Sequence, residues 1–267
     1  MNSGGSVFLA DFLNNVDIFA VIIIRMVGFF SIAPVVGGRN IPAMIRIAMA
    51  LTVSVIVFNT GIVKEIEYFD SVLGYGILLL KEFFVGFTIG FVALFFFNTA
   101  YLAGLLNDQQ IGLSMAAVFD PVNQMQVPIT GNIYFYMFTA IMIVTGGHRM
   151  LISSIYYSYS AIPVGGALLV GNESLYNLMM RFFNSFFMIG ASMALPIIGV
   201  LLVIDVALGI MVKTAPRLNV FVVGMPVKVM VGLISIWIII PIFDKVYNIL
   251  YTTVSENLLT VIKVMMP

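Results

Sequence analysis

The stretch Phe83–Asn107, FFVGFTIGFVALFFFNTAYLAGLLN, runs 25 residues without a charge. As a helix rising 1.5 Å per residue it would be about 37 Å long. The hydrocarbon core of a bilayer is only about 30 Å thick. Backbone amides have no water partner there, so a run of this length is read as a helix rather than an open sheet. The alternation of a membrane barrel is absent, and the run is too long for a barrel strand. It decides the fold class: all-α, a polytopic membrane-type helical protein.

Working outward, similar runs recur at about Ile18–Val36, Ile41–Val63, Val72–Leu106 (which contains the opening stretch), Asn132–Gly147, Met150–Val170, Leu175–Ile204, Val220–Phe243 and Val246–Met266. That gives about eight helical segments, with long broken helices and hairpins. The chain of 267 residues is 61% hydrophobic and 9% charged, with mean hydropathy +1.12. Soluble domains carry roughly 25% charged residues, and such a surface in water would aggregate. No linker, low-complexity tract or repeat divides the chain, which is read as one domain. The first residues, MNSGGSVFLADFLNNVD, lack a basic n-region, so no cleavable signal peptide is expected.

Composition also excludes function classes. Twelve basic and twelve acidic residues leave no net charge, against the basic face a nucleic-acid partner requires. Cysteine is absent and His148 is the only histidine. A thiol nucleophile or a zinc site is therefore not expected, and neither is any other cofactor. An intramembrane enzyme would need a nucleophile with its base, or a metal cluster. A small-solute transporter would combine broken helices with internal repeats. His148, at a helix end after Gly146–Gly147, reads as a turn residue.

Charges in or beside the apolar runs are Arg25, Arg46, Lys81, Glu82, Asp205, Lys213 and Lys228. Such residues face a protein interior, a partner or a wet cavity. Ion pairing that locks helices is expected over a proton relay, because no helix carries a run of carboxylates. Lys81 and Glu82 point about 100° apart on a helix, so each should pair with another segment or subunit. Gly86 and Gly90 stand at a spacing that lets helices approach closely, read here as local packing. If every run spans, the basic loops fall on both sides and the positive-inside rule gives no orientation.

The stretch Asn107–Pro128, NDQQIGLSMAAVFDPVNQMQVP, is the least regular. Pro121 disfavours helix at Asp120. An exposed connecting loop would be more charged and poorer in Met and Phe. A re-entrant or pore-closing loop would use them as an adaptable, water-excluding surface. Physics alone leaves both readings open.

Four stretches in order carry a resemblance: RMVGFFSIAPVVGGRNIPAMIRIAMAL (Arg25–Leu51), QQIGLSMAAVFDP (Gln109–Pro121), GGHRMLISSIYYSYSAIPVG (Gly146–Gly165) and ALPIIGVLLVIDVALGIMVKTAPRLNVFVVGMPVKVMVGL (Ala194–Leu233). Together they resemble the FliR/SctT family of type III export-apparatus membrane proteins, nearer its flagellar branch than its injectisome branch.

The resemblance implies a non-enzymatic subunit of a protein export gate, assembled with FliP and FliQ homologues and working with FlhB and FlhA on unfolded substrates. It implies a FliP-like part over about residues 1–200 and a FliQ-like hairpin over about 201–267. It places a pore plug on Gln109, Gln110, Ile111, Gly112, Leu113, Met115, Phe119, Asp120 and Pro121. It makes Arg46, Lys81, Glu82, Asp205, Lys213, Arg217 and Lys228 candidate subunit-interface charges. It sets the assembled core in the bacterial inner membrane, raised toward the periplasm, which would account for the failed orientation count. Thr214–Pro226 is read as a proline-bounded corner.

Overall fold

The computed structural model describes residues 15–38, 41–63, 71–115, 128–169, 171–215 and 219–267. Among these lie eight α-helices: α1 Val16–Ile32, α2 Ala43–Asn59, α3 Val72–Ile111, α4 Ile129–Val144, α5 Gly147–Ala161, α6 Glu173–Thr214, α7 Val220–Ile239 and α8 Phe243–Val264. Single 3₁₀ turns follow α3 and α7, at Leu113–Met115 and Ile240–Ile242. The fold is all-α and of membrane type. Three helical stretches, Val72–Ile111, Glu173–Thr214 and Val222–Val264, are long and apolar enough to cross a membrane.

Two of these helices are far longer than a span requires. The 42 residues of α6 rise about 63 Å, twice the ~30 Å of hydrocarbon. Only 11% of the most apolar part of α6 is buried within the chain. Much of its apolar surface, including Met188, Leu195, Val203 and Val206, is exposed. Such a surface requires lipid or partner subunits as its solvent.

Residues group into two compact units. The first comprises 1–94, 146–181 and 252–267. Within it α1 packs on α2, with Phe19 edge-on to Phe58 at 5.5 Å. The contact of α1 with α3 is made backbone to backbone. A Cβ at Gly28 would strike the carbonyl oxygen of Phe83, and one at Gly86 that of Arg25. Gly86 and Gly90 thus serve helix packing inside the chain, as their spacing suggested.

A buried ionic node fixes α5 against this pair. Arg25 is fully buried and spends its donors inward. Its Nε lies 2.6 Å from Oε2 of Glu82. Its terminal nitrogens donate to the carbonyls of Ser158 (3.0 Å) and Ile162 (3.3 Å). These end the last turn of α5, where carbonyls lack intrahelical partners and a cation is favoured. The guanidinium also lies over the Tyr159 ring at 4.3 Å, and Tyr159 donates to the carbonyl of Ile22 at 2.8 Å.

Glu82 uses its second oxygen to accept the Gly165 amide at 2.9 Å, while Lys81 donates to the Gly165 carbonyl at 3.2 Å. The two neighbours do not pair with each other, as their angular separation requires. Glu82 departs from the expectation of a subunit-interface charge. It is wholly buried and engaged within its own chain, because an unpaired buried carboxylate would be too costly.

The second unit comprises residues 95–145 and 182–251. Its aromatic core centres on Phe243, which meets Tyr134 at 4.6 Å and Phe138 at 5.6 Å. Tyr247 packs on Phe138 at 6.0 Å and shares a hydrogen bond with Thr145 at 2.9 Å. Phe95 packs against Phe186 at 4.4 Å.

The expected corner at Thr214–Pro226 is partly revised. Helix α6 ends at Thr214 and α7 resumes at Val220. Pro226 does not bound the corner, because it lies inside α7. Pro216 lies outside the described residues.

Candidate functional site: the root of the central segment

The central segment leaves the end of α3 and rejoins the chain at α4. Both ends belong to the second unit, and both are anchored. Helix α3 continues past Asn107 to Ile111, further than its apolar run suggested, since Asp108, Gln109 and Gln110 stay helical. Gly112 then breaks it with φ +93°, a conformation that strains any residue with a Cβ.

The two ends are brought together at three levels. A Cβ at Gly104 would lie 2.6 Å from the carbonyl carbon of Thr130, so α3 and α4 touch through their backbones. Asn107 donates from Nδ2 to the Tyr134 hydroxyl at 3.2 Å. Asp108 accepts the Thr130 backbone amide on both carboxylate oxygens, at 3.1 and 3.0 Å. All four side chains are buried.

A second set of contacts fixes the end of α3 against α6 and α7. Gln110 donates from Nε2 to Oδ2 of Asp205 at 3.1 Å. The other oxygen of Asp205 lies 2.6 Å from Nζ of Lys228. Ile111 is fully buried where α7 offers Gly232, at which a Cβ would come within 2.6 Å of its side chain. Above these contacts opens a cleft of about 430 Å³, with Gln109, Gly112 and Ser114 on one wall and Leu208, Gly209 and Met225 on the others.

The expected site residues sort plainly. Gln110, from the plug expectation, donates to Asp205, from the charge expectation, which in turn pairs with Lys228, while Ile111 packs on Gly232 of α7. Gln109 is exposed, Gly112 and Leu113 are half-buried, and Met115 ends the 3₁₀ turn. Phe119, Asp120 and Pro121 lie outside the described residues, as does Arg217. Arg46 donates to the carbonyl of Ile41 at 3.0 Å, at the start of α2. Lys213 is exposed in the last turn of α6, where a cation complements the helix dipole.

Sequence reasoning missed Asn107, Asp108, Thr130 and Tyr134. A signal for them existed. Helix α4 begins at Ile129 after Pro128, which offers no capping side chain. A helix start without a local cap needs an acceptor from elsewhere.

Residues 16–254 match the family described as bacterial export proteins, family 1. The flagellar biosynthetic protein FliR of Bacillus subtilis (strain 168) is 34% identical over 250 residues, covering 92% of this chain and 96% of that protein. The protein of the same name from Escherichia coli (strain K12) is 25% identical over 242 residues, covering 88% and 91%. The secretion system apparatus protein SsaT of Salmonella typhimurium is 28% identical over 227 residues, covering 83% and 86%.

Proposed function

The chain belongs to the family of bacterial export proteins, family 1, and on that premise we propose that it is a subunit of the flagellar type III protein export gate. In this reading it is a membrane-embedded component without a catalytic step of its own. It forms a protein-conducting channel for unfolded flagellar substrates together with FliP and FliQ homologues, and works with FlhB and FlhA. The residues from about 1 to 200 serve as a FliP-like part, and those from about 201 to 267 as a FliQ-like hairpin.

The observation that carries the reading is the anchored root. A polar, methionine-bearing segment is held at both ends by buried contacts, on helices too apolar for water. An exposed connecting loop has no need of such a mounting. A segment that obstructs a passage does, because its base must hold still against traffic. In the proposal the plug takes Gln109, Gln110, Ile111, Gly112, Leu113 and Met115, with Phe119, Asp120 and Pro121 completing it.

The length and exposure of α6 support the placement. A helix of about 63 Å exceeds the bilayer, and its apolar surface fits burial among sister subunits as well as lipid. The assembled core is accordingly proposed to sit in the inner membrane, raised toward the periplasm. Arg46, Lys81, Lys213, Arg217 and the outer flanks of Asp205 and Lys228 are its proposed interface charges.

Deleting the gene tests the reading. Loss of hook and filament proteins from the medium, and of motility, is expected. Normal export by the deletion strain overturns it. The likeness to a secretion system apparatus protein favours one second reading, an injectisome gate subunit. Intact flagella with loss of another secreted set of proteins would select it.

A further inference from the structure

We propose that Asp108 is the positioning residue of this root: its carboxylate sets the separation of the two chain ends that bracket the central segment. The inference rests on the gate reading above and adds to it the residue that joins the end of α3 to the start of α4.

The argument starts from what α4 lacks. The first amides of a helix have no intrahelical acceptor. The residue at the N-cap, Pro128, makes no side-chain hydrogen bond. Thr130 is 1% exposed, so water does not serve its amide either. Asp108, itself 3% exposed, supplies both carboxylate oxygens from 22 residues upstream. A negative group at this end is also favoured by the helix dipole.

A serine or asparagine at residue 128 would cap the same amide locally. Burying a carboxylate instead carries a desolvation cost. What the remote cap adds is linkage. The first turn of α4 is capped only while the 22-residue interval is closed, so capping and closure become one event. Two neighbours reinforce the clasp, Asn107 on Tyr134 one turn further along α4 and Gly104 on Gly131 beneath it. Asn107 is the weaker member, since its Oδ1 is buried without a partner among the described residues. Asp108 touches no substrate in this scheme. It acts through the placement of α4.

The test uses the full chain in the cell membrane, as Asp108→Ala and Asp108→Asn. Three quantities are read: abundance in the membrane, hydrogen exchange at the Thr130 amide in the purified complex, and ion leak across membranes of cells that are not exporting. Losing a cap shifts a local opening equilibrium by roughly 5- to 30-fold. Asp108→Ala should speed exchange by that factor and raise the leak at unchanged abundance. Asp108→Asn, which has the same shape and keeps one neutral acceptor, should fall between wild type and alanine in both.

Wild-type exchange and leak in both variants overturn the proposal. If Asp108→Ala does not accumulate, Asp108→Asn decides alone, and unchanged exchange there overturns it. Normal export by the deletion strain would sink the gate reading while leaving the exchange result standing, so the two failures are distinct.

Discussion

Asp205 and Lys228 lie 2.6 Å apart, and the same carboxylate accepts Gln110, so one acidic side chain ties α6, α7 and the end of α3. The pair is partly open, with 21% of the lysine and 38% of the aspartate side chain exposed. A pair this exposed contributes about 0.2–1 kcal/mol in water. Where lipid or a partner covers it, the attraction strengthens as the local dielectric falls.

Removing one charge should therefore loosen the root more than the fold. Lys228→Met is expected to accumulate normally in the membrane and to lower export of filament protein several-fold. The swap Asp205→Lys with Lys228→Asp should recover part of the loss. Export no better in the swap than in either single substitution would show that the pair itself is not what matters.

The Arg25–Glu82 node makes a sharper prediction for the first unit. Both groups are fully buried, and removing one leaves the other charged and unpaired, at a cost of about 3–5 kcal/mol. Arg25→Met alone should all but remove the chain from membranes, measured by immunoblot. Arg25→Met with Glu82→Leu should restore much of it, because a well-packed apolar pair can replace a buried ion pair. A double variant as depleted as the single one would contradict this account.

Two glycines of α3 should behave in opposite ways. A Cβ at Gly86 meets the backbone of Arg25, whereas at Gly76 nothing among the described residues lies within 4 Å. Gly86→Ala is expected to cost about 1–3 kcal/mol through overpacking. Gly76→Ala is expected to stabilise by up to ~1 kcal/mol through helix propensity. Thermal aggregation midpoints of the two purified variants in detergent give the comparison, and a Gly86→Ala midpoint equal to wild type would refute the close contact.

Gly112→Ala probes the break after α3. At φ +93° an L side chain is strained by roughly 1–2 kcal/mol. The alanine should favour continuation of the helix or a shift of the turn. Higher ion leak with normal membrane abundance is expected. Unchanged leak would show that the turn does not set the closed state.

Much of the fold was legible because lipid imposes a length and forbids unpaired amides, and runs near 20 residues then mark helices. The ends were harder. Helix α6 was read as stopping at Ile204 because Asp205 follows, yet the helix continues to Thr214. Lys228 and Gln110 meet that carboxylate, so it sits mid-helix without ending it. Helix α1 was read as reaching Val36 and stops at Ile32, before Pro34, which disfavours helix at Ala33.

The site was half legible. Gln110, Asp205 and Lys228 were each singled out, but their union spans 95 residues between Gln110 and Asp205, and no local pattern reports it. Glu82 was expected to pair with another segment or subunit and pairs with Arg25 of α1; sequence shows that a buried charge needs a partner without showing which. Asp108 was passed over as a loop residue. Only the empty cap at Pro128 pointed to it.

The partners of Arg25 also fix an order of events during synthesis. Glu82 follows it by 57 residues, and the Ser158 and Ile162 carbonyls by 133 and 137. At 5–20 residues per second those gaps correspond to roughly 3–11 s and 7–27 s. For that time α1 holds its cation without these partners, which costs roughly 2.5–3.5 kcal/mol wherever it lies at the bilayer centre. The ribosome-bound chain is therefore expected to keep α1 beside the insertion machinery until Glu82 emerges. Photocrosslinks from α1 to that machinery should persist in chains truncated before Glu82 and fade in chains extended past it.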